Sequence, residues 1–305
     1  MASKQPPMRK SKDTFIAWAF LLPNLLGFAT FVAFPVIFSL IMSFTNWDLR
    51  ETVPLRFIGF QNYANLFSDL RFWRFFYNTA FLMMAIPVGI AGSLCLALIL
   101  SKKITGLVAY RTLFYLPTVT AGVALFILWK KLYNPEFGVI NSALDWLFLH
   151  LDWNVEPPKW LLSTRWAKPA IMFMGVWTAI GGGNMLLYLA GLSNISQDLY
   201  DAANIDGANA WQKFWHVTWP QLAPTTFFIV VISTIGGLQG GFEQARVMTN
   251  GGPAESTVTL SFYIYLKTFF EFQVGYASSV AWVMFVMIFA LTLVNWRFGS
   301  RYVNY

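Results

Sequence analysis

The sequence predicts an all-α polytopic membrane protein with about six transmembrane helices and a helix–Gly–helix loop on the cytoplasmic side. Three observations carry that fold class. Six long stretches lack any charged residue: 14–47, 75–101, 112–129, 169–197, 214–242 and 272–296. Only 11% of the 305 residues are charged and 57% are hydrophobic, whereas soluble domains carry roughly 25% charged residues. Finally, the polar interruption at 196–220 carries its own helix start and stop signals.

Residues 1–13 hold Lys4, Arg9, Lys10 and Lys12 with two prolines and read as a disordered basic tail. The stretch after it is too long for the apolar core of a signal peptide and is long enough to span a bilayer, which takes about 20 apolar residues. Pro23 and Pro35 are expected to extend or kink it. The remaining charge-free runs each hold one helix, giving spans of about 14–45, 75–101, 112–131, 169–192, 221–242 and 272–297. Six spans put both ends on one side. Ten of the twenty-one Lys and Arg fall on that side, so the bare count decides nothing. The tail and the short 102–111 loop are dense in Lys and Arg and poor in acids, which favours a cytoplasmic placement of both termini.

Between spans four and five, Ser196 is suited to cap a short helix and Asp198 favours its positive end, while Gly207 can end it in the left-handed region. A second helix is expected from Ala208 to Thr218, stopped by Pro220, with Trp211, Phe214 and Trp215 on one face. On physical grounds this is either a membrane-surface helix pair or an elbow that docks into another protein. The middle outer loop has the same ambiguity. Trp146, Trp153, Trp160 and Trp166, with a helical pattern over 141–151, make either an aromatic belt or a docking surface.

Inside the spans, Gly181, Gly182, Gly183, Gly236, Gly237, Gly240 and Gly241 either pack helices closely or open a helix onto a cavity. Trp177, Asn184, Tyr188, Ser233 and Gln239 combine aromatic faces with amides and hydroxyls, the chemistry a sugar path needs. Cys95 is the single cysteine, which excludes an intrachain disulfide; inside an apolar run it reads as a buried, inert thiol. No phosphate loop of the Gly-x-x-x-x-Gly-Lys-Ser/Thr type, no metal-ligand spacing and no hydrolytic triad is present, so this chain reads as no enzyme. The net charge of +7 comes without basic clusters interleaved with stacking aromatics, so it points to topology and lipid contact rather than nucleic acid.

The 196–220 loop also resembles a motif of importer permeases of the ATP-binding-cassette type: Glu-Ala-Ala, three residues, Gly, nine residues, Ile, one residue, Leu-Pro. Asp201, Ala202, Ala203, Gly207, Val217 and Pro220 stand at those positions without insertion. Asp replaces Glu, Val replaces Ile, and Trp219 replaces Leu. Tyr133-Asn134-Pro135 with Gly138 and Asn141 is similar to a second pattern of the carbohydrate-importing branch, and shifts the middle outer loop toward docking. The string from Thr249-Asn250-Gly251-Gly252-Pro253 to Gly275-Tyr276-Ala277-Ser278 is similar to a third, typical of the first permease of maltose-type and glycerol-phosphate-type importers.

The resemblance covers most of the chain. It implies a transmembrane permease domain over 14–297, a coupling loop at 196–220 and cytoplasmic tails at 1–13 and 298–305, in a bacterial inner membrane. It further implies a second, homologous permease, a dimer of cytoplasmic ATPase subunits that holds ATP and Mg, and an extracytoplasmic solute-binding protein. The chain itself would carry no cofactor. The expected cargo is a sugar, with glycerol phosphate or another polyol as the alternative. An ATP-independent secondary transporter and a non-transporting membrane scaffold stay open as other classes. In the leading reading, Asp201 holds the elbow by charge-assisted hydrogen bonds, the two alanines allow close docking, and Gly207 sets the turn.

Overall fold

The structure, a computed structural model, describes residues 10–50, 54–102, 104–120 and 122–299. Of the expected tails at 1–13 and 298–305, residues 1–9 and 300–305 lie outside the described residues. Among the described residues twelve helices follow in order: α1 Lys10–Ser43, α2 Gln61–Ser68, α3 Leu70–Leu100, α4 Leu107–Val119, α5 Gly122–Leu132, α6 Val139–His150, α7 Ala167–Ser193, α8 Gln197–Ile205, α9 Ala210–Gln239, α10 Phe242–Met248, α11 Leu260–Phe269 and α12 Val274–Gly299. Among the described residues no strand forms beyond an isolated bridge between Thr45 and Phe57. Five helices, α1, α3, α7, α9 and α12, are individually long and apolar enough to cross a membrane.

The third expected span, 112–131, differs. It is a pair, α4 and α5, bent by 98°. Pro117 sits in the last turns of α4 and Thr120 is extended, at φ −67° and ψ 134°, so the helix cannot run on unbroken. The pair counts as a sixth span only if the two helices are taken together. α1 also begins earlier than expected: its helix runs from Lys10, inside the basic tail.

Prolines do not interrupt the long helices as the sequence led one to expect. Two π-helical turns, Ala29–Ala33 and Phe214–Thr218, each lie two residues before a proline, Pro35 and Pro220. In each, an amide bonds five residues back: Phe34 N–H to the Ala29 carbonyl and Trp219 N–H to the Phe214 carbonyl. A widened turn moves the carbonyl that a proline ring would otherwise strike. Pro220 therefore does not stop the second elbow helix, which continues as α9 to Gln239.

The chain divides into two compact units, Met1–Leu66 with Lys267–Trp282, and Phe67–Leu266 with Val283–Tyr305. In the first, buried Asn62 donates to the carbonyls of Ser43 (2.9 Å) and Thr45 (2.8 Å), which the end of α1 leaves without helical partners. Arg50 pairs with Asp48 at 3.1 Å and donates to the Glu271 carbonyl at 2.8 Å. That guanidinium holds the half-buried Asp48 carboxyl below its ordinary value. Buried Lys267 pairs with Glu271 at 2.6 Å and lies over the Tyr276 ring.

Within the second unit, two apolar cores can be followed among the described residues. One joins α5 to α7 through Leu125, Phe126, Trp129, Ala170, Ile171 and Met174. The other joins α3, α7 and α9 through Leu94, Ala97, Met185, Tyr188, Leu222 and Ile229. Small residues set the approach: a side chain on Gly92 would strike Ile180, and one on Gly181 would strike the Phe114 backbone carbonyl. Cys95 is exposed on α3, correcting the expected buried thiol; the helix turns its packed face the other way.

Candidate functional site

The polar elbow between α7 and α9 is built as a closed turn. Ser196 caps α8 by accepting from the Asp198 amide at 3.3 Å. Gly207 follows at φ +74°, and the Gly207 and Ala208 amides donate to the carbonyls of Asn204 (3.1 Å) and Ala203 (2.9 Å). This is the left-handed helix ending that satisfies two orphan carbonyls at once, and glycine enters it without a Cβ penalty. Asn209 and Gln212 then form a reciprocal capping box, 2.8 and 2.9 Å, that starts α9.

Ala202, Ala203, Gly207 and Val217 line one cleft of about 430 Å³, together with Asp206, Lys213 and His216. Asp201 and Pro220 do not line that cleft. The Asp201 carboxylate accepts from Gln197 of its own helix at 3.1 Å, and other contacts cross the turn. Lys213 donates to the Asn204 side chain across the turn, and the Tyr200 and Thr218 hydroxyls meet at 2.9 Å. The Asn209–Gln212 box was readable as a polar residue followed three positions later by Gln. Tyr200 and Thr218, eighteen positions apart, had no local signal. Outside the cleft the elbow presents Ile205, 87% exposed, and Trp211, 69% exposed.

The five residues proposed for a sugar path have different surroundings. Trp177 packs edge-on against Trp129 at 5.4 Å. Asn184 and Ser233 are half-buried, and Gln239 is exposed at the end of α9. Tyr188 is fully buried and lines a groove between α3, α7 and α9. The glycines serve both of their expected purposes. Gly237 sits against Met83 and Ile86, where an added Cβ would lie 2.7 Å from Ile86 Cδ1. Gly236, Gly237, Gly240 and Gly241 also line a cavity of about 210 Å³ with Gly175 and Thr79.

The 133–141 and 249–259 motifs both bond to the protein itself. Tyr133 donates its hydroxyl to the Ala170 carbonyl at 2.9 Å, and burial pushes that phenol above its ordinary value. The Asn134 side chain accepts from the amides of Glu136 and Phe137, a turn made by an asparagine on its own backbone. Buried Asn141 accepts from Trp160 Nε1 at 2.6 Å and donates to the carbonyls of Pro135 and Pro158. These side chains staple the middle loop onto the protein. The loop at 249–259 is likewise held by α3. Asn78 donates to the carbonyls of Glu255 and Val258, each at 3.0 Å, while Arg71 and Arg74 flank the Glu255 carboxylate at 3.0 and 3.6 Å. Lys168 joins from α7 by donating to Asn78 Oδ1 at 3.1 Å.

Residues 63–301 match the family described as the binding-protein-dependent transport system inner membrane component. The probable ABC transporter permease protein YesP of Bacillus subtilis (strain 168) is 36% identical, over 98% of this chain and 96% of its own. The lactose transport system permease protein LacF of Rhizobium radiobacter is also 36% identical, over 91% and 92%. Among solved structures, a crystal structure of a bacterial ABC transporter involved in the import of the acidic polysaccharide alginate has a matching chain. Its TM-score is 0.84 at 25% identity, covering 97% of this chain and 99% of that one.

Proposed function

The chain belongs to the family of binding-protein-dependent transport system inner membrane components, and we propose that it is the membrane-spanning subunit of an ATP-driven importer for a sugar. It is a multi-pass membrane protein, and its similarity to the lactose permease and to the alginate importer supports carbohydrate as the cargo class. The elbow carries the mechanism. A closed, capped turn with a cleft of small residues and exposed apolar side chains suits docking into a rigid partner surface, and α9 leads from it directly into the bilayer.

In this reading the partner is a dimer of cytoplasmic ATPase subunits, which binds ATP and Mg. Closure of that dimer on ATP pushes the elbow. This chain and a second, related permease then rock, so that the path between them opens first outward and then inward. An extracytoplasmic solute-binding protein delivers the sugar to the outer face. Ala202, Ala203, Gly207 and Val217 form the seat at the ATPase, with Asp201 and Pro220 on its margin.

Purification from the native membrane with measured stoichiometry tests the reading. One further permease and two ATPase copies are expected, and proteoliposomes holding that complex take up sugar only with ATP inside and binding protein outside. Uptake by this chain alone, driven by an ion gradient, would overturn it.

A further inference from the structure

Three segments meet around a cavity of about 360 Å³: the end of α5 with 133–135, the 161–162 turn before α7, and the 248–253 stretch after α10. The cavity lies beside the start of α7 at Ala167, whose other end at Ser193 leads into the elbow, so it opens on the face opposite the elbow. Its volume falls in the range of ligand pockets, about 300–1,000 Å³. The walls are fixed before anything binds, which lowers the cost of binding. The Tyr133 hydroxyl is held by the Ala170 carbonyl at 2.9 Å, and the Thr249 and Thr257 hydroxyls meet at 2.6 Å. The Gly251 amide donates to the Ala245 carbonyl at 3.1 Å.

The polar groups of the lining are unevenly spent. Its side-chain oxygens are taken. Asn134 Oδ1 accepts from the Glu136 and Phe137 amides, Asn250 Oδ1 accepts from Arg246, and the Tyr133 and Thr249 hydroxyls donate to the Ala170 and Ala245 carbonyls. The donors are not. Among the described residues the Asn134 and Asn250 amide nitrogens donate to nothing, and the Lys130 ammonium makes one bond, to the Val247 carbonyl at 3.3 Å. An ammonium has three N–H groups to give. Lys130 and Asn250 are exposed and Asn134 is half-buried, so an incoming group can reach them. Within three residues of the lining along the chain, Lys131, Lys159, Arg165 and Arg246 outnumber Glu136 and Glu255, and Glu255 is already flanked by Arg71 and Arg74.

The rest of the wall is Pro135, Leu161, Leu162, Met248 and Pro253. One cation, two free amide donors and apolar sides suit a carboxylate carried on a short aliphatic stem. A neutral sugar suits them less, because its hydroxyl groups would meet side-chain oxygens that are already bonded. We infer that this cavity is the socket for an aspartate or glutamate side chain of the extracytoplasmic solute-binding protein, an inference that rests on the function proposed above. The carboxylate accepts from Lys130 Nζ and from Nδ2 of Asn134 and Asn250, while the stem lies against Leu162 and Pro253. A side chain seated there bears on the 249–259 loop, which Asn78 ties to α3, and on the turn that leads into α7.

The test uses the purified intact complex in nanodiscs with its solute-binding protein, treated with a zero-length carbodiimide that joins an amine to a carboxylate touching it. Peptide mapping should find Lys130 joined to an Asp or Glu of the binding protein severalfold more often than Lys131 or Lys159, which are exposed but do not line the cavity. Lys130→Gln should raise the binding-protein concentration that half-stimulates ATP hydrolysis by about 10–100-fold, while Lys159→Gln leaves it unchanged. Changing the crosslinked acid to its amide should give a similar loss, and the two changes together little more than either alone. Equal losses from Lys130→Gln and Lys159→Gln, or fully additive losses, would overturn the pairing. A carboxylated sugar that shields Lys130 without the binding protein would assign the cavity to substrate and overturn the socket. Stimulation of the wild-type complex with no Lys130 adduct would overturn the socket alone. A wild-type complex that the binding protein never stimulates would overturn the function on which it rests.

Discussion

Replacing Gly207 by alanine separates the backbone of the elbow from everything it touches. The residue sits at φ +74°, and a Cβ built there meets nothing within 4 Å, so the whole cost is conformational. Holding a non-glycine residue in the left-handed region costs about 1–2 kcal/mol. Local opening of the turn should therefore rise about 5–30-fold, the change in ratio that 1–2 kcal/mol brings. Asparagine visits the same region readily, so Gly207→Asn should recover most of the loss although it is the larger residue. Hydrogen exchange of the Gly207 and Ala208 positions reads this directly, because both amides are bonded in the closed turn. ATP-driven uptake and retention of the ATPase subunits should follow the same order, with wild type and Asn above Ala. If Ala and Asn exchange alike, the turn is not limited by backbone strain. If uptake falls while exchange stays unchanged, the elbow acts through something other than its closed shape.

Asn78→Ala should destabilise the protein by about 2–3 kcal/mol, since it removes two donors from buried carbonyls at once, and a lower melting midpoint in detergent checks this. Glu255→Gln, at a half-exposed ion pair, should cost less than about 1 kcal/mol in the same assay; the reverse order would refute the emphasis on the buried amide. Asn141→Ala strands Trp160 Nε1 and should lower the midpoint by an amount corresponding to about 1–3 kcal/mol, while Ser142→Ala, one position on, should cost much less. The Asp48–Arg50 contact should be insensitive to pH from 8 to about 5, because a carboxyl held below its ordinary value near 3.9 stabilises the fold above that value. The contribution fades only as pH falls through the lowered folded value, and exchange at Leu49 and Arg50 should quicken only there; quickening near pH 6 would contradict it.

The spans were legible because a bilayer demands length and apolarity, and charge-free runs report both. The elbow was legible for the same kind of reason: Ser196 and Gly207 act on backbone within a few residues of themselves. Three features were hidden. The passage of α9 through Pro220 depends on a π turn, and proline chemistry alone predicts a stop. The grip of Asn78 on the 249–259 loop joins residues 177 to 180 positions apart, which no local pattern encodes. The bonds of Tyr133 and Asn141 to the protein's own backbone were hidden too, because a polar and aromatic cluster in a loop reads equally well as a docking surface.

The unbroken course of α9 has a mechanical consequence. From Ala210 to Gln239 it is one rod of about 45 Å, so a tilt of about 10° at the elbow swings its far end by about 8 Å. The widened turn before Pro220 and Pro224 within the helix, where a ladder bond is missing, are the places where the rod can bend, so about 8 Å is the rigid-rod limit of the swing. The rod ends where Gly240 and Gly241 stop the helix, and Gly241 stands at φ +85°. A small displacement at one membrane face thus becomes a large one near the other, delivered to the point where the backbone is freest to turn.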